Sequence, residues 1–444
     1  MTALLWPGDD RAGDLLSDPA VLVAMVVVEE AWLDALVELG VAPGTARPPR
    51  LSELVADDDV DAAVATVAAG SEDTGTPVLP LVRLVRERLR DEHPEAARWL
   101  HRGLTSQDVL DTALVLCLRD AFEHLADELA GQVEALAGLA RWHRGTPMAG
   151  RTLTQPAVPI TFGLKAATWL TAVLDAADLA TQLRWPVQIG GAAGTLAAAV
   201  ELAGRAGAVD PVGTALELVR RAAASLGLDA GPPWHTARAP LTRAADALVT
   251  CTDAYGRIAN DVLVLGRPEI GELREPVETS AGRRRGGSST MPQKANPVLS
   301  TLLRRAALAA PGLAAQVHLA AAEAVDERSP GSWHAEWSAL QLLGRRTLVA
   351  ASQATELLSG LRVEVGRMRG TLDAEASALL AERRSLAPDH PRRDQRFRGD
   401  QGMDVHHDDH DDHDDDDVLT YLGATDTFID AALDRAAGYG KGRS

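Results

Sequence analysis

Apolar residues recur along most of the chain at the spacing of an α-helix. From Val109 to Ala140 an apolar stripe keeps one helix face hydrophobic over many turns. Similar long segments, separated by glycine-rich connectors, occupy residues 158–184, 241–265, 298–325 and 335–361. No alternating stretch of strand length competes with them. The pattern therefore predicts an all-α protein with an elongated central bundle of long helices.

The segments on either side of the long helices are shorter or less regular. An amphipathic stretch at 21–39 and turn-rich joints at 42–50 and 70–80 predict a smaller N-terminal helical domain. After residue 361 the pattern loosens, and it becomes helical again at 418–437. We predict three domains, namely 1–95, 96–361 with a polar loop at 282–297, and 362–444 with an atypical or disordered part at 382–417.

Composition and charge narrow the class of protein. Hydrophobic residues make up 46% of 444 residues, which supports a large core and excludes global disorder. A formal net charge of −19 argues against a nucleic-acid partner, which would select a basic face. Nearly half of that charge comes from Asp404–Asp417, which holds nine Asp and four His. Because only Val405 could anchor this run, we interpret it as solvated and disordered, with adventitious metal binding as the alternative.

The cysteine count and the N-terminus bear on location. Cys117 and Cys251 are too few for a disulfide framework, so we expect buried thiols in a reducing compartment. The first ten residues lack the basic and apolar regions of a signal peptide. We find no run of about 18 apolar residues that could span a membrane. These features predict a cytoplasmic protein without a membrane partner.

A polar, glycine-rich segment at 286–297 interrupts the helical pattern. It reads GGSSTMPQKANP and contains Lys294, one of only three lysines in the chain. Its two Pro-containing joints disfavour a helix. The segment resembles the GSSxMPxKxNP signature of the fumarase/aspartase superfamily, and every specified position matches.

Two further regions support the same resemblance. Residues 101–108, HRGLTSQD, resemble the superfamily's TSxD region, and Thr105 with Asp108 also forms the pattern of a helix capping box. A helix N-terminus with free amides is at the same time a good carboxylate site. Residues 150–165, GRTLTQPAVPITFGLK, resemble the RTxxQxAxPxTFG block, which opens another long helix.

Within the superfamily, the chain is most similar to the bacterial 3-carboxy-cis,cis-muconate cycloisomerases. Four stretches carry this likeness: GTPVLPLV at 75–82, QIGGAAGTLAA at 188–198, PWHTAR at 233–238, and ER followed by GSWHAEW at 327–337. The resemblance implies three mostly helical domains and a homotetramer with active sites shared between subunits. It also implies a small polycarboxylate substrate, no metal and no other cofactor.

The resemblance also implies roles for individual residues. Superfamily reactions move a proton on a carbon next to a carboxylate, which requires a proton-transfer group and donors for the developing charge. By position in the motifs, Ser288 is the proton-transfer group, and Lys294 and His101 complete the catalytic set. The expected substrate-binding residues are Thr105, Ser106, Gln155, Arg238, Ser289 and Asn296.

Two positions leave the substrate open. Adenylosuccinate lyase and its relatives carry a histidine where this chain has Leu153. The cycloisomerases, like this chain, lack that histidine, which favours the cycloisomerase. Those cycloisomerases often have His where this chain has Pro156, which is closer to the lyases. A lyase that releases fumarate from adenylosuccinate, aspartate or nitrosuccinate is therefore the alternative to the cycloisomerase.

The C-terminal region suggests a third hypothesis. Family-like sequence lies on both sides of an Arg/Asp/His-rich stretch at about 382–417. Either a locally shifted reading frame or a genuine disordered insertion would produce this pattern. Since the superfamily includes structural lens proteins that retain the fold, a non-catalytic protein is the remaining alternative.

Overall fold

A computed structural model of the chain describes residues 4–47, 50–56, 60–278, 282–291, 294–386 and 417–441. Most of these residues are helical, so the predicted all-α class is confirmed. The helices are α1 (Asp18–Glu38), α2 (Leu51–Ala56), α3 (Val60–Thr74), α4 (Val78–Leu89), α5 (Pro94–Trp99), α6 (Ser106–Trp142), α7 (Phe162–Thr181), α8 (Ala197–Arg205), α9 (Pro211–Leu226), α10 (Ala239–Leu265), α11 (Val298–Ala322), α12 (Ser332–Ser359), α13 (Val365–Leu379), α14 (Ala381–Leu386) and α15 (Thr425–Lys441).

The long helices occupy the segments that the apolar pattern predicts. Helices α6, α10, α11 and α12 begin and end within a few residues of the predicted bounds. The predicted joint at 70–80 is shorter than expected, because α3 continues to Thr74 and α4 begins at Val78. Gly75 makes this short joint with a positive φ of 66°, a conformation that glycine adopts without strain.

A β-hairpin replaces the first part of the helix predicted at 158–184. Strand β1 (Pro147–Thr152) pairs with the antiparallel strand β2 (Gln155–Thr161), and α7 begins only at Phe162. The prediction failed there because Val158, Ile160 and Thr161 are β-branched and favour a strand. A second, short ladder pairs β3 (Leu273–Arg274) with β4 (Arg362–Val363).

The chain divides into two compact units. The first comprises Met1–Glu128, Asp175–Gly256 and Leu302–Gln353. There α1 packs on α9, and Trp32 is fully buried. The second comprises Leu129–Leu174, Arg257–Thr301 and Ala354–Ser444.

In the second unit, the β1–β2 hairpin packs on α13. Ala149 of β1 joins Leu372 and Leu379 of α13 in a buried cluster. Val418, at the start of the C-terminal segment, completes this cluster. The division into three domains stays a prediction.

Both cysteines are buried, as the sequence predicts. Burial raises the pKa of the Cys117 thiol and of the Cys251 thiol to about 12, so both are protonated at neutral pH and pack as small apolar side chains. Within the described ranges, no helix is long and apolar enough to cross a membrane.

Candidate active site

Asp108 lies in the first turn of α6 and is fully buried. Its Oδ2 atom accepts hydrogen bonds from the backbone N–H of Thr105 at 3.0 Å and of Gly191 at 2.9 Å. Its Oδ1 atom accepts from the N–H of Gly190 at 2.9 Å and from the Gln188 amide at 3.2 Å. The bond to Thr105 confirms the predicted capping-box contact. The other three bonds hold the glycine-rich block against the N-terminus of α6.

The PWHTAR segment packs on the same block. The Oε1 atom of Gln188 accepts the N–H of Trp234 at 2.6 Å. His235 is buried, with Nε2 at 3.5 Å from Oδ1 of Asp108. A Cβ atom at Gly190 would lie 2.6 Å from Cε1 of His235, so this close approach requires glycine.

Arg238 is buried between two carboxylates. Its Nη1 donates to Oδ2 of Asp111 at 2.6 Å and to the carbonyl of His235 at 3.0 Å. Its Nη2 donates to Oδ1 of Asp111 at 3.0 Å and to Glu336, and its Nε donates to Oε2 of Glu336 at 3.3 Å. These bonds use all five N–H donors of the guanidinium, so none is left for the substrate carboxylate that the sequence assigned to it.

This buried triad has one positive charge and two carboxyl groups. Burial works against the charged form of Arg238, but Asp111 and Glu336 raise its pKa above the ordinary value. Burial also raises the pKa of Glu336 to about 7, although Arg238 acts in the opposite direction. Trp333 donates its indole N–H to Asp111 at 2.9 Å, which joins the GSWHAEW segment to α6.

Arg328 is a residue that the sequence reasoning did not assign to the site. Its Nη2 donates to the hydroxyl of Thr105, and its Nε donates to Oε1 of Gln107 at 3.4 Å. The half-buried guanidinium therefore lies beside the N-terminus of α6, where Ser106 is 7% exposed. The signal that could have identified Arg328 is its position in the stretch at 327–337, which resembles the cycloisomerases.

His101 precedes the TSxD turn in a left-handed backbone conformation with φ of 64°. Its Nδ1 lies 2.5 Å from Oε1 of the buried Glu29. Burial lowers the pKa of His101, but the contact with the Glu29 carboxylate outweighs this effect and the pKa is raised. The charged imidazolium is therefore favoured at this position.

We call residues 286–297 the signature loop. It lies in the second unit, and the structure describes it except for residues 292–293. The carbonyl of Gly286 accepts the backbone N–H of Asn296 at 2.9 Å and its side-chain amide at 3.1 Å. Gly286 has a φ of 73°, and a Cβ atom there would lie 2.3 Å from the carbonyl oxygen of Asn296. Gly286, which directly precedes the first residue of the motif, therefore closes the loop.

Inside the closed loop, Ser288 is half-buried and its Oγ accepts the N–H of Met291 at 3.3 Å. Ser289 and Lys294 are exposed, and Lys294 forms no ion pair with the described residues. The loop thus presents hydroxyls and a free ammonium group to solvent.

Glu275 anchors the end of the loop. Its carboxylate accepts the N–H of Leu299 at 3.0 Å and of Ser300 at 2.8 Å. These are free amides of the first turn of α11, where a carboxylate also interacts favourably with the helix dipole. The loop is therefore fixed at its junction with α11.

The RTLTQ block forms the turn of the β1–β2 hairpin. Arg151 pairs with the buried Glu272 through Nη1 at 3.1 Å and Nη2 at 2.7 Å. Leu153 and Thr154 form the two-residue turn, both with positive φ, and Leu153 is 97% exposed. Gln155 is exposed and donates to the hydroxyl of Thr154 at 3.4 Å.

The sequence-predicted site residues fall into two groups. The first unit holds His101, Thr105, Ser106 and Arg238, and the second holds Gln155, Ser288, Ser289, Lys294 and Asn296. In the described part of the chain, no cluster of three or more His, Cys, Asp or Glu is arranged to hold a metal ion. The interpretation of the Asp/His run concerns residues 404–417, of which all but the last lie outside the described ranges.

Comparisons with known proteins identify the family of the chain. A family model described as Lyase matches residues 23–312. Nitrosuccinate lyase of Streptomyces davaonensis is 45% identical over 83% of this chain and 76% of its own length. The 3-carboxy-cis,cis-muconate cycloisomerase of Pseudomonas aeruginosa is 40% identical over 84% of this chain and 78% of its own length.

Solved structures show the same relationship. The 3-carboxy-cis,cis-muconate lactonizing enzyme from Pseudomonas putida superposes with a TM-score of 0.80 at 29% identity, covering 97% of each chain. A fumarate lyase from Mesorhizobium superposes with a TM-score of 0.76 at 28% identity over 96% of this chain and 98% of the other. The chain belongs to the Lyase family of the fumarase/aspartase superfamily of lyases and cycloisomerases.

Proposed function

We propose that the protein is a cycloisomerase that converts 3-carboxy-cis,cis-muconate to 4-carboxymuconolactone in aromatic catabolism. One observation carries this proposal. The glycine-rich, PWHTAR and GSWHAEW segments, which resemble the cycloisomerases, meet around Asp108 and Asp111 in a single buried network beside the TSxD turn. The cycloisomerase-like features are thus parts of one structure rather than scattered similarities.

The reaction needs an intramolecular addition and one proton. A substrate carboxylate oxygen adds to a carbon–carbon double bond, and the π electrons move to the carbon next to another carboxylate. Protonation of that carbon gives the lactone, with no other group gained or lost. The enzyme must orient the carboxylates, stabilise the dianionic intermediate and deliver the proton.

Ser288 is the proposed proton-transfer group, because its hydroxyl lies within the closed signature loop. Its alkoxide needs nearby N–H donors and a cation, which loop amides and Lys294 supply. Ser289 and Asn296 orient the substrate through polar contacts. The free amides at the N-terminus of α6 favour binding of a second carboxylate by Thr105 and Ser106.

Arg328 takes the anion-binding role that the sequence assigned to Arg238. Arg238 instead positions the N-terminal part of α6 through Asp111, because its donors are already used. His101, held by Glu29, positions the TSxD turn or contacts substrate as an imidazolium. Gln155 contributes a further polar contact from the hairpin turn.

A nitrosuccinate lyase is the second candidate, because the relative with that name is 45% identical to this chain. In this reaction a base removes the proton next to a carboxylate, and the electrons form the double bond of fumarate as nitrite leaves. Ser288 would then accept the proton. Leu153, where adenylosuccinate lyase and its relatives have a histidine, favours the cycloisomerase, whereas Pro156 is closer to the lyases.

Parallel assays decide between the candidates. Purified protein is incubated with 3-carboxy-cis,cis-muconate, and the loss of diene absorbance is followed. The same protein is incubated with nitrosuccinate, and nitrite and fumarate are measured. Diene loss with the higher kcat/KM supports the cycloisomerase, whereas preferential nitrite release reassigns the substrate. Inactivity on both, and on adenylosuccinate and aspartate, would support the non-catalytic hypothesis.

A Ser288→Ala variant tests the proton-transfer assignment. We expect kcat to fall at least a hundredfold, consistent with the usual contribution of acid–base catalysis of about 10²–10⁴-fold. Thr290→Ala removes a hydroxyl from the same loop at an unspecified motif position and is the matched control, with activity close to wild type. A Ser288→Ala variant as active as this control would refute the role of Ser288.

We further propose a cytoplasmic homotetramer with shared sites and no metal or other cofactor. The likeness of the motifs to those of the superfamily supports the shared sites. Sedimentation equilibrium measures the assembly state. Mixing Ser288→Ala with a Thr105→Ala variant should restore activity if residues from different subunits form one site. Undiminished turnover after dialysis against EDTA is expected.

A further inference from the structure

A cavity of about 400 Å³ lies in the second unit, behind the end of the signature loop. One wall is formed by the end of α10 and the following segment, from Val262 to Val277. Ala295, Asn296 and Pro297 of the loop form another wall. Arg367 of α13 lies at its rim, next to Gly271. The cavity is therefore lined in part by the residues that connect the signature loop to α11.

Four charged side chains line this cavity, and three of them are arginines. Arg274 pairs with Glu364, with Nε at 2.9 Å from Oε1. The single acid, Glu275, accepts the two amides of α11 described above. Arg274 is therefore paired with an acid, and the carboxylate oxygens of Glu275 are used by backbone amides. The remaining charged side chains of the cavity are Arg285 and Arg367.

Arg285 is only partly satisfied. Its side chain is 11% exposed, and its Nη2 donates to Oε1 of Glu356 at 2.7 Å. Its Nη1 is buried and has no hydrogen-bond partner among the described residues. A buried donor without an acceptor destabilises the folded state, so native proteins satisfy such groups with water or an ion.

Arg367 supplies the second guanidinium group. It is exposed at the rim and forms no ion pair with the described residues, and its Nε lies 3.6 Å from the position of a Cβ atom on Gly271. Gly271 has a φ of 66° and no side chain, which leaves the guanidinium close to the backbone. A water molecule would satisfy only the free donor of Arg285, whereas an anion would also interact with the charge of Arg367, which is otherwise only hydrated.

We propose that this cavity binds a small oxyanion, of the size of phosphate or a carboxylate, between Arg285 and Arg367. Planar guanidinium groups bind such oxygens through pairs of short, charge-assisted hydrogen bonds. The anion would lie against Asn296 and would connect the signature loop to α13. The site goes beyond the proposed function, since it depends on neither candidate reaction.

Inorganic phosphate is the probe for the first test. Full-length protein is titrated with sodium phosphate by isothermal calorimetry at constant ionic strength, with sodium chloride as the reference. We expect saturable binding of one phosphate per chain. Arg367→Gln should weaken it at least tenfold. Arg369→Gln removes an exposed arginine of the same helix, α13, that does not line the cavity, and it should change the Kd less than twofold.

Arg285 is tested conservatively because of its bond to Glu356. Arg285→Lys keeps a cation for that glutamate but removes the forked donor pair, and we expect at least threefold weaker phosphate binding with an unchanged circular dichroism spectrum. Absence of saturable binding, or equal losses in Arg367→Gln and Arg369→Gln, overturns the proposal.

Competition separates two sources of the oxyanion. If the unreactive tricarboxylate tricarballylate displaces the phosphate, the occupant is a substrate carboxylate. If both bind independently, the site holds a free anion. The cavity binds an oxyanion in either case, and phosphate binding remains measurable even if both proposed reactions fail.

Discussion

Replacing Asp108 by Asn should destabilise the first unit strongly, although the two side chains have nearly the same shape. Each carboxylate oxygen of Asp108 accepts two hydrogen bonds, and the residue is fully buried. Asn replaces one oxygen by an NH₂ group, which faces two donors. Two buried donors therefore lose their acceptor at about 1–3 kcal/mol each, so we expect the free energy of unfolding to fall by about 2–6 kcal/mol.

Urea unfolding followed by circular dichroism measures this difference. Asp120→Asn is the matched control, since Asp120 lies on the same helix but is exposed and pairs only with Arg119 nearby. An exposed pair of this kind contributes about 0–1 kcal/mol. If Asp108→Asn unfolds at the same urea concentration as Asp120→Asn, Asp108 does not hold the glycine-rich block as argued.

Three further substitutions test other parts of the structure. Gly286→Ala would force a Cβ atom onto the carbonyl of Asn296. In steady-state assays kcat should therefore fall at least tenfold, while the melting temperature changes by a few degrees. An unchanged kcat would contradict the role of Gly286 in closing the loop. Burial raises the pKa of Glu336 from 4.5 to about 7. The folded protein therefore holds this proton more tightly than the unfolded chain, and the free energy of unfolding should fall by on the order of 3 kcal/mol as the pH rises through these two pKa values. Glu336→Gln should remove this slope when urea midpoints are compared at pH 5 and pH 8, and a retained slope would assign it to another group. Leu153→Asn combined with Thr154→Gly suits a turn with two positive φ angles and should raise the free energy of unfolding by about 1 kcal/mol; a lower melting temperature would contradict strain in the turn.

The long helices could be predicted because their apolar faces repeat over many turns. The periodic signal of α6 or α10 comes from local spacing, and burial against other helices only reinforces it. The β1–β2 hairpin could not be predicted in this way. Its strands are short and contain prolines, and its turn has leucine and threonine where glycine or asparagine is usual.

The motifs predict which residues belong to the site, but they do not show which hydrogen bonds each residue already makes. Thr105 and Asp108 could be predicted as a capping pair, because the contact spans one helical turn. The engagement of Arg238 by Asp111 and Glu336 could not be predicted, since these partners are 127 and 98 residues away in the sequence. Motif membership identifies a residue type at a position, and only the fold shows whether its donors are free.

If the substrate is a polycarboxylate, as the proposed function requires, free hydrogen-bond donors rather than the net charge should determine where it binds. The charge of Arg238 is matched by two carboxyl groups. Removing the arginine would leave these buried acids without a positive partner, so we expect a larger effect on stability than on substrate affinity. Arg328 and Lys294 form no ion pair with the described residues, and each lies in a segment with hydroxyl neighbours. The substrate carboxylates are therefore expected to meet Arg328 in the first unit and Lys294 in the second. Replacing Arg328 by Gln should raise KM, and replacing Lys294 by Gln should also lower kcat because the Ser288 alkoxide loses its cation. Both changes should leave stability nearly unaltered, the opposite of the pattern expected for Arg238→Gln.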